Sequence, residues 1–183
     1  VPSQEYNLPY LRHFFPDQPV ELFALAYRQQ GLMLAPGNPK HVAGLADLVR
    51  PDLTFINRNR GSGTRLWLDE ALAGMGLPGE QVRGYGVEAA THTEVAEAVT
   101  QHRADLGLGI QASAQAFGLD FIPLFQERFD LALRLETAHE PGVARLFDAL
   151  FSGGFRQQMS QLPGYEISCS GQSWQVGGAL SAP

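Results

Sequence analysis

The chain has 183 residues, of which 44% are hydrophobic and 17% are charged, proportions that are ordinary for a soluble globular protein with a sizeable core. Its 13 basic and 19 acidic residues give a net charge of −6, which argues against direct nucleic-acid binding, because phosphate backbones attract a basic face. The single cysteine, Cys169, excludes an intrachain disulfide and a cysteine metal site.

Apolar runs separated by glycine and proline predict short strands in the first 50 residues. Residues 1–19 hold four prolines and are expected to be irregular or extended. Strands are predicted at residues 20–27 and 32–35, with Gly31 in a turn between them. Residues 42–49 fit a short helix.

Strand and helix patterns alternate through the middle of the chain. Residues 53–56 predict a buried strand, and apolar residues at helical spacing predict a helix after the loop at residues 57–65. Thr91 and Glu94 form a predicted capping box at the start of another helix. Further predicted elements are a strand at 106–110, a helix at 112–117 and a strand at 121–124. This alternation predicts an α/β fold with mostly parallel strands.

The last third of the chain predicts one more strand and a helical region. Apolar and polar residues alternate over 129–135, which is typical of a half-exposed strand. Pro141 begins a helix with an apolar face, and a second helical face starts at Phe155. The composition from Ser168 onward predicts a loose tail, in which Cys169 is an incidental thiol.

The loop at residues 57–65 combines arginine, glycine and hydroxyl side chains where a predicted strand ends and a helix begins. The first amides of a helix have no partner within it and carry partial positive charge. Glycine lets a solute approach the backbone, hydroxyl groups add donors, and guanidinium groups offer charged, forked donors. The candidate ligand contacts here are Arg58, Arg60, Ser62, Gly63, Thr64 and Arg65. Together they predict a pocket for a small oxyanion that needs neither a metal nor a catalytic base.

A second interpretation of the loop at residues 57–65 involves no ligand. It can be an ordinary N-cap loop, with Ser62 or Thr64 as the cap and the arginines in solvent. It does not match a Walker phosphate loop, and Leu66 stands where a dinucleotide fingerprint needs its third glycine. Ser62 lacks the flanking glycines of a nucleophile elbow, which argues against a catalytic serine.

No set of residues predicts catalysis or a metal site. Glu88 and Asp105 are an unfavourable acid/base pair, because carboxylates beside an anion site repel the ligand. They are expected to tie loops together or to pair with an arginine. The histidines outside the candidate site have no metal-ligand spacing: His13, His41, His102 and His139. We therefore expect a binding protein that is not an enzyme, has no catalytic residue and carries no cofactor.

Several segments resemble the type II periplasmic binding proteins. The segment Asn57-Arg58-x-Arg60-Gly61-Ser62-Gly63-Thr64-Arg65 is the central match, and residues 5–165 carry the resemblance. Shorter matches are Gly37-Asn38-Pro39, Gly84-Tyr85, Thr91-His92, Ala104-Asp105 and Leu119-Asp120-Phe121. The branch that is most similar is the intracellular binding-protein-like domain attached to helix-turn-helix regulators or to molybdopterin biosynthesis proteins.

The resemblance implies a two-lobed α/β fold that closes about a hinge on molybdate or tungstate. The first lobe would comprise residues 1–50 and 124–183, the second lobe residues 51–123, and the hinge segments would lie near Leu34 and Phe129. By likeness to tungstate and molybdate importers, Arg58, Ser62, Gly63 and Thr64 would contact the anion, and backbone amides would face it at Thr91, His92 and Thr93. The family's first strand–helix–strand unit has no counterpart here, so we expect an incomplete first lobe whose exposed edge favours a homodimer.

The expected partners follow from the same resemblance. A small oxyanion would be the ligand, and a fused helix-turn-helix or molybdopterin-biosynthesis domain would read the closure in a longer parent protein, as the missing initial methionine suggests. Without a membrane-length apolar run or a signal-peptide pattern, we expect a cytoplasmic location and no membrane partner. Two alternatives stay open: an effector domain that binds a small organic acid in a transcription regulator, and an accessory domain that delivers a metal oxyanion to a catalytic partner.

Overall fold

The computed structural model describes residues 6–138 and 140–177. The predictions for residues 1–5, for His139 and for the tail at residues 178–183 lie outside the described residues. Within the described ranges, the α-helices are α1 (Leu8–Phe14), α2 (Gly63–Gly74), α3 (His92–Thr100), α4 (Gln111–Ala116), α5 (Leu135–Ala138), α6 (Pro141–Leu150) and α7 (Gly153–Ser160). Two short 3₁₀ helices span Leu45–Val49, within the helix predicted at residues 42–49, and Gly79–Gln81. The strands are β1 (Val20–Leu34), β2 (Phe55–Arg58), β3 (Glu88–Ala89), β4 (Leu106–Ile110), β5 (Asp120–Arg134), β6 (Tyr165–Glu166) and β7 (Ser173–Val176).

The chain divides into two compact units. The first unit contains residues 1–28 and 127–183, and the second unit contains residues 29–126. The chain passes from one unit to the other twice, within β1 and within β5. Residues 29–50 fall in the second unit, together with the loop at residues 57–65, and the lobe boundaries stay a prediction.

The sheet of the second unit has both parallel and antiparallel pairs. Its strand order is β3-β2-β4-β1-β5. Strand β2 runs parallel to β3 and to β4, because each connection contains a helix that returns the chain to the starting edge. Strand β1 pairs antiparallel with β4, from Gln30 opposite Ile110 to Leu34 opposite Leu106. The predicted mostly parallel sheet is therefore right for β3, β2 and β4 and wrong for β1.

Two apolar layers cover the faces of this sheet. Leu32, Phe55 and Leu108 lie on the face that packs against Leu68 and Leu72 of α2. The opposite layer joins residues of β1 and β2 to α3 and α4, and its buried members include Met33, Ile56, Val95, Ala96, Val99 and Ala114. Burial on both faces explains why β4 is apolar along its whole length, from Leu106 to Ile110. These layers hold the strand ends from which α2 and α3 begin.

Gly31 lies inside β1 and not in a turn. The two strands predicted at residues 20–27 and 32–35 form one strand, so the predicted turn is wrong. A Cβ atom at position 31 would lie 2.1 Å from the carbonyl oxygen of Ile122 in β5. Glycine is needed here because another backbone segment approaches closely. In the sequence alone, such a glycine cannot be told from a glycine in a turn.

The first unit also departs from the predictions at both of its ends. The segment predicted to be irregular contains α1, with Pro9 in its first turn, where the missing N–H costs nothing. The segment predicted to be a loose tail contains β7, which pairs antiparallel with β1 from Val20 opposite Val176 to Phe23 opposite Ser173. Long-range strand pairing orders residues whose local composition alone favours a loop.

Buried side chains hold these end segments in place. Arg128 is paired with Asp130, and its guanidinium lies 4.1 Å from the ring of Trp174 and 4.8 Å from that of Tyr6. Cys169 is 2% exposed, and burial raises the pKa of its thiol. The predicted incidental thiol in a flexible tail is therefore a core residue.

Candidate functional site

The candidate site lies where two parallel strands end and two helices begin. In the register of β2 and β3, Asn57 is opposite Glu88 and Arg58 is opposite Ala89. Helix α2 starts at Gly63, shortly after β2, and α3 starts at His92, shortly after β3. Because parallel strands end at the same edge of a sheet, both helix N-termini face that edge, inside the second unit.

The start of α2 is capped by Ser62. Its Oγ accepts from the amide of Arg65 at 3.2 Å, and its carbonyl accepts from the amide of Leu66 at 3.1 Å. This confirms Ser62 as the N-cap that one interpretation of the loop predicted. In the described part of the chain, no protein group accepts from the amides of Gly63 and Thr64. These two donors are therefore left for a solute.

The start of α3 repeats this arrangement. Thr91 Oγ1 accepts from the amide of Glu94 at 3.1 Å, as the predicted capping box requires. The carboxylate of Glu94 reaches one residue further back than predicted and accepts from the amide of Ala90 at 2.7 Å. The amide of Thr93 has no protein acceptor among residues 6–138 and 140–177.

Arg58 joins the end of β2 to the start of α3. It is 9% exposed and donates from Nε to the carbonyl oxygen of Ala89 at 3.3 Å and from Nη2 to that of Ala90 at 2.9 Å. Its Nη1 lies 2.9 and 3.0 Å from the two ring nitrogens of His92. The guanidinium therefore places positive charge beside the start of α3 and holds that helix start in position.

The other two arginines of the loop point to different partners. Arg60 has an 87% exposed side chain whose Nε lies 3.8 Å from Glu88. Arg65 is 5% exposed, donates to Asp69 at 2.9 Å and lies 4.1 Å above the ring of Tyr85. The structure thus brings Arg58 to the start of α3 and places Arg65 in a cluster with Asp69 and Tyr85.

This cluster stabilises the loop. Burial would lower the pKa of Arg65, but the hydrogen bonds with Tyr85 and Asp69 outweigh it and raise the pKa. Burial, together with the hydrogen bond to Asp69, raises the pKa of Tyr85. The carboxylates weighed as an acid/base pair have structural partners, as expected: Glu88 lies near Arg60 and Arg65, and Asp105 accepts from the amide of Thr54 at 2.7 Å.

Thr64 has a partner that sequence reasoning missed. Its hydroxyl is 3.2 Å from Nε2 and 3.3 Å from Oε1 of Gln30 in β1. Gln30 is 0% exposed and Thr64 is 4% exposed. No local pattern indicated this pair, because Gln30 falls between the strands predicted at residues 20–27 and 32–35.

Solvent reaches the start of α2 through a cavity of about 210 Å³ beside the loop. Gly61, Ser62, Gly63 and Leu66 contribute to its lining. No group of three or more His, Cys, Asp or Glu side chains among the described residues is arranged to hold a metal ion. None of the described helices combines the length and apolar character required to cross a membrane.

Comparisons with known proteins define the family. The uncharacterized protein YvgK of Bacillus subtilis (strain 168) is 35% identical over 168 residues, which are 92% of this chain and 54% of YvgK. This chain thus spans about half the length of that relative.

Two solved structures show the same fold. The substrate binding domain assigned to a molybdenum ABC transporter of Clostridium difficile has a TM-score of 0.55 at 15% identity, over 79% of this chain and 66% of that one. The CcmR regulatory domain of Synechocystis PCC6803, in complex with 2-PG, has a TM-score of 0.56 at 16% identity, over 73% of this chain and 66% of that one. These likenesses confirm the predicted α/β fold of the binding-protein class.

The model of the PBP-like family, described as the PBP superfamily domain, matches residues 1–150. The chain belongs to the PBP-like family.

Proposed function

We propose that this domain binds a small oxyanion at the starts of α2 and α3. The observation that carries the proposal is the pair of helix N-termini at adjacent parallel strand ends, with the amides of Gly63, Thr64 and Thr93 left without protein acceptors in the described chain. Partial positive charge at a helix start attracts anions, and two such starts at one edge strengthen the effect.

The donor set suits an oxyanion with several oxygens. Amides donate from two helices, Arg58 adds charge next to α3, and Ser62 and Thr91 occupy the capping positions. A tetrahedral oxyanion accepts hydrogen bonds in several directions. Backbone amides do not titrate, so they donate to the anion whatever the pH. The two structures compared above support this class, because one is assigned to molybdenum transport and the other contains 2-PG.

Molybdate or tungstate is the ligand that we propose within this class. The support is the molybdenum transporter's similar fold and the resemblance of the loop at residues 57–65 to tungstate and molybdate importers. The 2-PG complex of CcmR favours a second candidate, a small organic acid bound by a regulatory domain. The Thr91, His92 and Thr93 contacts would be shared by both ligands.

Hinge closure on the ligand remains part of the proposal. The ligand would shift the populations of open and closed forms in proportion to its difference in affinity for them. In a longer parent protein, a fused regulatory or biosynthetic domain would respond to this shift in the populations. That fused domain and a homodimer remain predictions.

Substitution of Gly63 directly tests the proposed anion site at the starts of α2 and α3, called the anion seat below. No heavy atom lies within 4 Å of a Cβ built at this position, and an aspartate in the first turn of a helix is favourable, so Gly63→Asp should fold. Its carboxylate would repel a bound anion; at about 5 Å and an effective dielectric constant of about 20, one pair of charges costs about 3 kcal/mol. Gly63→Asn is the neutral control of the same shape.

Isothermal titration with molybdate, tungstate, sulfate, phosphate and 2-phosphoglycolate compares the three proteins. We expect the wild type to prefer molybdate or tungstate, Gly63→Asp to bind at least tenfold more weakly, and Gly63→Asn to stay near the wild type. A preference for 2-phosphoglycolate would favour the organic-acid candidate. Absence of binding to every anion, or equal binding by Gly63→Asp and Gly63→Asn, would contradict the proposed seat.

A further inference from the structure

Gln30 and Thr64 form a buried polar pair between β1 and the start of α2. The amide of Gln30 presents both Nε2 and Oε1 to the same hydroxyl oxygen, at 3.2 and 3.3 Å. Gln30 is 0% exposed, and the three residues of β1 that follow Gly31 are buried and apolar: Leu32, Met33 and Leu34. A buried amide within an apolar strand is costly unless it is hydrogen-bonded, so its single hydroxyl partner fixes the side chain of Thr64 in return.

The chemistry of a hydroxyl limits what this pair can do. Thr64 Oγ1 has one proton to donate and lone pairs with which it accepts. At these distances Oγ1 can accept from Nε2 and can donate its proton to Oε1 of Gln30. An anion has only acceptors, so a hydroxyl that contacts an anion must turn its proton toward it.

We propose that Gln30 is a positioning residue that directs the hydroxyl proton of Thr64 toward the bound anion. The inference rests on the proposed function of the α2 and α3 helix starts. When the anion binds, the proton of Thr64 leaves Oε1 of Gln30 and points to an anion oxygen. The Nε2–H of Gln30 keeps donating to Oγ1, which holds the rotamer and polarises the hydroxyl as a donor.

This arrangement selects for ligand atoms that accept hydrogen bonds. The side chain of a helical residue leans toward the N-terminus of its helix, so the hydroxyl of Thr64 lies toward the start of α2. A ligand group that donates would meet an oxygen that already accepts from Nε2 of Gln30. Gln30 thereby favours deprotonated ligand oxygens.

A double-mutant cycle with Gln30→Met and Thr64→Val tests the coupling. Methionine keeps the length of glutamine without its amide, and valine keeps the shape of threonine without its hydroxyl. Tungstate affinity is measured by isothermal titration for the wild type, both single variants and the double variant. We expect each single variant to bind roughly five- to tenfold more weakly, the effect of one hydrogen bond, and the double variant to bind no more weakly than Thr64→Val alone.

Two further variants separate positioning from a general loss of structure. Thr64→Ser keeps the hydroxyl and should bind tungstate within about threefold of the wild type. Gln30→Glu keeps the shape of glutamine, but its carboxylate only accepts hydrogen bonds and therefore keeps the proton of Thr64. It should weaken tungstate binding more when residue 64 is threonine than in the Thr64→Val variant. This second cycle gives the answer if Gln30→Met does not fold, as judged by circular dichroism.

The outcomes distinguish this inference from the proposed function. If the wild type does not bind tungstate or any other oxyanion, the proposed function fails and the inference fails with it. If the wild type binds and the effects of the Gln30 and Thr64 substitutions simply add, the anion seat stands and the positioning role of Gln30 is overturned. If the Gln30 substitutions no longer weaken binding in the Thr64→Val background, the two residues are coupled and the positioning role is supported.

Discussion

The close contact between β1 and β5 makes Gly31→Ala a strongly destabilising substitution. The added Cβ would lie 2.1 Å from the carbonyl oxygen of Ile122 and 2.7 Å from Cζ of Phe121. A backbone oxygen moves only if its strand moves, so we expect a cost near the upper end of overpacking effects, about 3 kcal/mol. For a chain of this size, that corresponds to a fall in Tm of roughly 6–12 °C.

Gly74→Ala is the matched control for this substitution. Gly74 is the last residue of α2, and a Cβ built there has no heavy atom within 4 Å. Alanine favours the helix over glycine and should stabilise the protein by about 0.5 kcal/mol. Thermal unfolding followed by circular dichroism measures both variants. If Gly31→Ala melts within about 2 °C of the wild type, the packing argument is refuted.

The remaining predictions concern the loop arginines and an acidic cap. Arg65→Met should lower the free energy of unfolding by about 2–3 kcal/mol, because it removes the charged hydrogen bond to Asp69 and the contact with the ring of Tyr85. Arg60 is exposed, so Arg60→Met should change the free energy of unfolding by less than about 0.5 kcal/mol. If urea unfolding gives the same loss of stability for both variants, the distinction between the two arginines is contradicted. The amide of Ala43, with that of Gly44, lowers the pKa of Asp47, so its stabilising contribution is complete above about pH 4 and is lost as the pH falls below that value. Asp47→Asn should therefore flatten the acid limb of the curve of Tm against pH, and an unchanged acid limb would contradict this assignment.

Local patterns predicted the features that adjacent residues determine. The caps at Ser62 and Thr91 each depend on a residue three positions away, and the helices that follow them were found from apolar spacing. The oxyanion site stays a prediction, and it was proposed because a strand end, a glycine loop and a helix start are neighbours in the sequence. These features need little information from the rest of the fold.

Contacts between distant segments account for the errors. Gly31 was predicted to be in a turn because its close contact with Ile122 is invisible in the sequence around it. Strand β7 was missed because its order comes from pairing with β1, some 150 residues earlier in the chain. Tertiary context overrides local preference at both positions.

The side-chain roles in the candidate site show the same limit. Three loop arginines were equivalent in the sequence analysis, yet only the guanidinium of Arg58 lies against the start of α3. The direction of Arg65 depends on Tyr85, 20 residues away, and the role of Thr64 depends on Gln30, 34 residues away. The composition of the loop predicted which side chains can donate. The fold determines which of them lie at the helix starts.

The most direct test of the anion seat is the position of a bound anion. Crystals grown with tungstate and measured near an absorption edge of tungsten would locate the metal by anomalous scattering. We expect one strong peak at the starts of α2 and α3, with tungstate oxygens about 2.9 Å from the amide nitrogens of Gly63, Thr64, His92 and Thr93. A fully occupied tungstate elsewhere in the second unit, with these amides facing only water, would contradict the account.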